Sequence, residues 1–227
     1  MLILLAAALT LASDTITAGD SSVRGDSLLL GTTIKQLVLE DSAGRQVVGR
    51  LVQELSAATI DGRKGVLSVQ TFDLGGKQTV DSSFADRRTL APILQRSHNT
   101  SRVMTLDFTP RRVTGTVVPT TGDRKSIDHA VARPTFDANV ADLVYAALPL
   151  ADGFSTVVPV YIYEEGGLVW NDVSVSAAAP VAGEAVWLVR VHSASRDVEY
   201  WIGRRSHAVL RSRYGIAPGR SLVIERI

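Results

Sequence analysis

FDANVADLVYAALPL, residues 136–150, is the one stretch whose apolar side chains recur at helical spacing in a chain that otherwise reads as strand. Val140, Leu143, Val144, Ala147 and Leu148 fall at i, i+3, i+4, i+7 and i+8, on one stripe of a helix. Asp137 or Asn139 offers an oxygen to a free backbone N–H at its start, and Pro149 stops it by Leu148. The pattern predicts a helix over residues 138–148. Its apolar stripe needs a sheet to cover it.

The rest of the chain supplies that sheet. Apolar runs are separated by turn chemistry at short intervals, the signature of antiparallel β structure. Asp61-Gly62 and Gly75-Gly76 suit tight hairpin turns. Pro92 cannot donate to a ladder, which favours an edge or a bulge. Met104, Leu106 and Phe108 alternate with polar neighbours, and Val113, Gly115 and Val117 share a face. Residues 120–134 are polar and read as a connection to the helix. Beyond the helix, residues 156–177 form a hairpin with Val169, Val173 and Val175 in register, and four more strands follow to Ile227. One helix among so many strands implies a mainly β (α+β) fold: a strongly curved antiparallel sheet or half-barrel wrapped around one central helix. No linker interrupts residues 28–227, which read as a single domain after a polar, flexible lead-in at 13–27.

At 227 residues and 45% hydrophobic content the chain can bury a sizeable core. A formal charge of +1 gives no field to hold a polyanion, so nucleic acid is not an expected partner. Residues 1–12, MLILLAAALTLA, are too short to span a bilayer, which takes about 20 apolar residues, and have the length of a signal-peptide core. The expected location is therefore periplasmic or extracellular after removal of this leader, with no transmembrane span. With no cysteine, disulfides and thiol chemistry are excluded.

Catalytic motifs are sparse. His98, His129, His192 and His207 are too dispersed for a local metal-ligand pair, and no metal or cofactor is expected. No nucleophile elbow or phosphate loop occurs; Ser97-His98 and Asp128-His129 are pairs that any chain offers. Glu164 and Glu165 are adjacent on a turn rather than facing each other. Arg24-Gly25-Asp26 spells an adhesion tripeptide, but three residues recur by chance, and a solvated turn explains them better. Basic residues outnumber acidic ones from Arg190 to Ile227, and strand alternation sets Arg211 and Arg213 on one face, with Arg226 on the next strand, as a rim for anions or lipid headgroups. Trp170, Trp187, Trp201 and four tyrosines of the second half read first as packing residues.

Three segments carry a family resemblance: ADRRTLAPILQRSH at residues 85–98 with the two strands after it, the helical stretch, and EYWIGRRSHAVLR at residues 199–211. Over residues 67–227 the chain resembles a group of secreted bacterial proteins of unknown function, similar in turn to the periplasmic lipoprotein-sorting carriers of the LolA and LolB type. Such proteins often place Asp where Gly203 stands here. The resemblance implies a half-barrel with a helix in its mouth, an apolar interior that takes acyl chains, and no catalytic residues. It transfers no individual functional residue.

These features together lead to a secreted, non-enzymatic protein that binds an apolar or lipid-like ligand in the concave face. Met104, Leu106, Phe108, Val140, Leu143, Val144 and Leu148 are the expected lining, and Arg211, Arg213 and Arg226 the expected headgroup rim. Two rivals remain: an interaction module of the cell envelope with a filled core and an envelope protein as partner, and a hydrolase built around His98 or His129.

Overall fold

A computed structural model describes residues 14–227, so the candidate leader lies outside the described residues. The strands are β1 (Gly31–Asp41), β2 (Gly44–Ile60), β3 (Arg63–Leu74), β4 (Lys77–Ala85), β5 (Pro92–His98), β6 (Arg102–Thr109), β7 (Arg112–Pro119) and β8 (Lys125–Ala130), followed by a two-residue β9 (Phe136–Asp137). The single α-helix among the described residues, α1 (Ala141–Ala146), continues a 3-10 turn at Ala138–Val140. After it come β10 (Ser155–Ile162), β11 (Gly167–Val181), β12 (Glu184–His192), β13 (Asp197–Gly203), β14 (Val209–Ala217) and β15 (Arg220–Arg226).

All fifteen strands form one sheet, in the order β8-β7-β6-β5-β4-β3-β2-β1-β15-β14-β13-β12-β11-β10-β9. Two meanders, β1 to β8 and β10 to β15, are thus fused where β1 pairs antiparallel with β15. The short β9 runs parallel to β10 through Phe136 and Asp137. Hairpin turns set the registers: Asp61 and Gly62 both have positive φ, as do Gly75 and Gly76, which type I′ turns require. Among the described residues no backbone ladder joins the terminal strands β8 and β9, and side chains close that seam instead. The Tyr161 hydroxyl of β10 lies 2.9 Å from His129 Nδ1 of β8, and Phe108 meets the Tyr161 ring edge-on at 5.9 Å. The sheet is therefore strongly curved and open in its hydrogen bonding.

The main core gathers α1 with Leu55, Val66 and Ala85 of the first meander and Val158, Val173, Val189 and Ile202 of the second. All five stripe residues of the helical stretch are buried, and Asp137 accepts the Asn139 N–H at 2.9 Å. The regular helix is shorter than its pattern, because 136–137 pair as strand and 138–140 wind as 3-10. A second core packs Met104, Leu106, Phe108, Val113, Val117 and Ile127 against Tyr161.

Three further details differ from the sequence pattern. The polar stretch 120–134 holds β8, a strand whose Ile127 alone is apolar and buried. Pro92 opens an interior strand, and a register shift at Phe84/Ala85 absorbs its missing donor, so the bulge and not the edge applies. The lead-in is tied down: Ile16, Val23 and Leu28 are buried, the Ile16 N–H donates to Val157 O and the Arg24 N–H to Ala147 O. Gly25 of the adhesion tripeptide is likewise buried, with its N–H donated to Arg88 O, while Arg24 and Asp26 on either side are exposed.

Candidate functional site

Between the start of α1 and the concave face lies a cavity of about 360 Å³, lined by both meanders. Its apolar wall comprises Leu51, Phe72, Val160, Ile162, Val191, Val198, Leu222 and Ile224. Strand alternation aims these inward: Leu222 opposes Leu39 and Tyr214, and Ile224 opposes Leu37 and Ser212.

The adjoining part of the inner face is polar. Gln53, Gln70, Asp81 and Ser97 oppose one another in sequence across β2, β3, β4 and β5, a continuous ladder on the inner face. One step along, Ser68, Ser83 and Gln95 form a parallel row. Helix-side groups meet these rows. Gln70 Nε2 donates to Asn139 O at 2.8 Å, and buried Lys35 donates to Gln53 Oε1 at 3.0 Å while lying 3.6 Å from Asp142 Oδ2. Ser83 donates to Asp137, and Asn171 Nδ2 to the Tyr145 hydroxyl at 2.9 Å, which anchors α1 to β11.

Burial dominates the electrostatics here. It pushes the enclosed Asp137 carboxyl up to about 7 against the opposing pull of Ser83 and the Asn139 N–H. Burial also raises Asp81, helped by Glu164 and opposed by Ser97 and Arg102. Tyr145, Tyr200 and Tyr214 are raised by burial too, so their hydroxyls remain neutral donors. Two polar atoms at the cavity, Asp81 Oδ1 and Asn139 Nδ2, are enclosed without a hydrogen-bond partner. The arrangement offers hydrogen bonds to a polar group at one side and apolar contact at the other.

The seven expected lining residues sit beside this cavity rather than around it. Met104, Leu106 and Phe108 face inward but are packed in the second core, while Val140, Val144 and Leu148 fill the main one. Leu143, in the main core, also borders a smaller cavity of about 190 Å³ near Leu28 and Arg226. Strand spacing marked the inward faces, yet it gave no measure of which of them would be filled by their neighbours. The polar ladder carried a readable signal: Ser68/Gln70, Asp81/Ser83 and Gln95/Ser97 are each two residues apart, and so share a face.

Arg211 and Arg213 do project together, outward, opposite Glu225 and Val223. Glu40 lies 3.9 Å from Arg211 and 3.7 Å from Arg213, so the rim is a charge ladder of both signs. Arg226 shares the face of inward Lys35, its register partner, and does not join them. The two histidine pairs are split by strand alternation: Ser97 and Asp128 lie across their strands from His98 and His129, with Asp128 ion-paired to Arg112 and His129 on Tyr161. Among the described residues no three His, Asp or Glu side chains gather closely enough to hold a metal ion. No helix among them is long and apolar enough to cross a membrane.

Comparison with known proteins is consistent with this architecture. The family described as "Protein of unknown function (DUF3108)" matches residues 41–224. No curated protein matches the chain. Among solved structures, the chain is similar to a β-barrel-like protein of domain of unknown function DUF1849 from Brucella abortus, with TM-score 0.56 and 14% identity over 90% of this chain and 97% of that one. At that identity the likeness concerns the fold alone.

Proposed function

We propose that this chain, which belongs to the DUF3108 family of proteins of unknown function, is a non-enzymatic binding protein that holds one small amphiphilic ligand between α1 and the concave face. The observation that carries this reading is the cavity's mixed lining, with the apolar Leu51, Phe72 and Ile224 beside the polar Gln70, Asp81, Asn139 group. Ligand sites commonly pair an apolar lining with a few convergent polar groups. The apolar cargo expected from the carrier-like resemblance becomes, on this lining, a lipid-like molecule with a polar end. A volume of about 360 Å³ stands at the small end of the range for ligand pockets, which suits a single chain or ring. The setting that goes with this function is periplasmic or extracellular, supported by the apolar run at residues 1–12.

The test is native mass spectrometry and organic extraction of protein purified from its own compartment, with titration of the apolar probe N-phenyl-1-naphthylamine. A stoichiometric amphiphile, or saturable probe binding weakened in Phe72→Ala at unchanged melting temperature, is the expected result. Protein that is empty and refuses the probe would overturn the reading and leave the envelope module with a filled core, which the tight packing of Leu106 and Phe108 against Tyr161 favours.

A further inference from the structure

Five charged side chains line the cavity: Lys35, Asp81, Asp142, Glu164 and Arg196. Four of them have a partner of opposite sign. Lys35 lies 3.6 Å from Asp142, Arg196 lies 2.9 Å from Glu165, and Glu164 is ion-paired with Arg102. Asp81 has no such ion pair among the described residues; Ser97 and Arg102 favour its charged form, yet its Oδ1 is shut away from solvent with no hydrogen-bond partner. A carboxylate oxygen enclosed without a donor is costly to keep, and a cationic donor is the group that compensates it best.

Of the groups around Asp81, Arg102 is engaged by Glu164, and Gln70 offers an acceptor. The amide nitrogen of Gln70, directly opposite on β3, is committed to Asn139 O at 2.8 Å, which leaves its carbonyl oxygen for a ligand. Across the cavity stand the rings of Tyr145, Tyr200 and Tyr214, spaced at 5.2 Å and 6.2 Å between successive centroids. Aromatic faces attract cations once both are out of water. An ammonium donates three hydrogen bonds and accepts none, which matches a carboxylate, an amide oxygen and tyrosine faces. The unpartnered Asn139 Nδ2 is then free for an oxygen next to that nitrogen.

We infer that the polar end of the ligand is a protonated amine, with Asp81 as its counter-ion and the apolar wall receiving its chain. This assignment rests on the cavity being a ligand site, as proposed above, and specifies the ligand's class. It is tested by displacing N-phenyl-1-naphthylamine with four compounds of one chain length: decylamine, 2-aminodecan-1-ol, decan-1-ol and decanoate. Both amines are expected to bind at least tenfold tighter than the alcohol and the carboxylate. In Asp81→Asn, with folding checked by its thermal melt, that preference should shrink to within about twofold. Equal binding of all four, or a preference for decanoate, overturns the amine assignment while the binding reading stands. Binding of none overturns both. The ranking on the unaltered protein decides the matter even where Asp81→Asn fails to fold.

Discussion

The Ser83 hydroxyl of β4 donates to the carboxyl of Asp137, so that one enclosed side chain both caps the turn into α1 and ties it to the sheet. Burial holds that carboxyl at about 7 in the folded protein, above its ordinary 3.8. The folded state therefore keeps a proton that the unfolded chain releases across that window. Stability from this group is full in acid, declines as pH rises from about 4 to 7, and is flat above. At about 1.4 kcal/mol per pH unit the change amounts to at most about 4 kcal/mol. Asp137→Asn keeps the shape and the acceptor for the Asn139 N–H, turns its other contact into Nδ2 donating to the Ser83 hydroxyl, and removes the ionisation. Denaturant melts should show a flatter pH profile over that window for the variant, and stability equal to or above the unaltered protein at pH 8. An unchanged profile would remove Asp137 as its source.

Lys35 on β1 is buried and bridges Gln53 of β2 to Asp142 in the first turn of α1. Lys35→Met leaves Asp142 without a cation, held by the Leu143 N–H at 2.9 Å and the long contact from Gln53 Nε2 at 3.4 Å. A loss of about 2–3 kcal/mol is expected, below the range for a fully buried pair because Asp142 retains some solvent contact. The double variant Lys35→Met with Asp142→Leu should recover most of it. Additive losses in urea melts would show that the two side chains do not interact.

Residues 136–150 announced the helix and the hairpin glycines announced the turns, because both signals are local. β8 was hidden for a physical reason: it is a terminal strand whose inward positions include Lys125 and His129, so it has no apolar alternation to read. The cavity was hidden for another. Whether an inward Leu faces space or a neighbour depends on which strands meet across the concavity, and Tyr161 reaches Leu106's cluster from a segment more than fifty residues away. The family resemblance supplied an apolar interior, whereas Gln53, Gln70, Asp81 and Ser97 lay a polar ladder along its inner face.

Gly115 of β7 lies where its neighbour leaves no room for a side chain. A Cβ there would come within 2.0 Å of Thr105 O and 2.9 Å of Leu106 Cα, both backbone atoms of β6. Gly115→Ala must push the two strands apart, at a cost of about 2–3 kcal/mol. Thermal melting should report it, and a variant as stable as the parent would mean that this bend is softer than drawn.

Leu106 is fully buried in the second core, while Phe72 lines the cavity. Leu106→Ala should cost about 2–5 kcal/mol and leave probe affinity unchanged at a temperature where the variant is folded. Phe72→Ala, at a half-buried position, should cost less and weaken the probe more. The opposite pattern would move the ligand site from the helix start to the β6 side.

Tyr161 is the contact through which the two ends of the sheet meet, and it uses two separable interactions there. Its ring packs on Phe108, and its hydroxyl hydrogen-bonds His129 of β8. Burial raises that hydroxyl to about 12, so it remains protonated throughout the neutral range. Tyr161→Phe keeps the ring and deletes the hydrogen bond, which should cost about 1 kcal/mol. The loss has a local signature, because β8 has a backbone partner on one side only, β7. Amide hydrogen exchange should quicken over Lys125–Ala130 in the variant while β1 and β15, paired on both sides, keep their protection. Exchange that quickens evenly through the sheet would instead mean that the seam is held by packing alone, with the hydroxyl contributing nothing specific to β8.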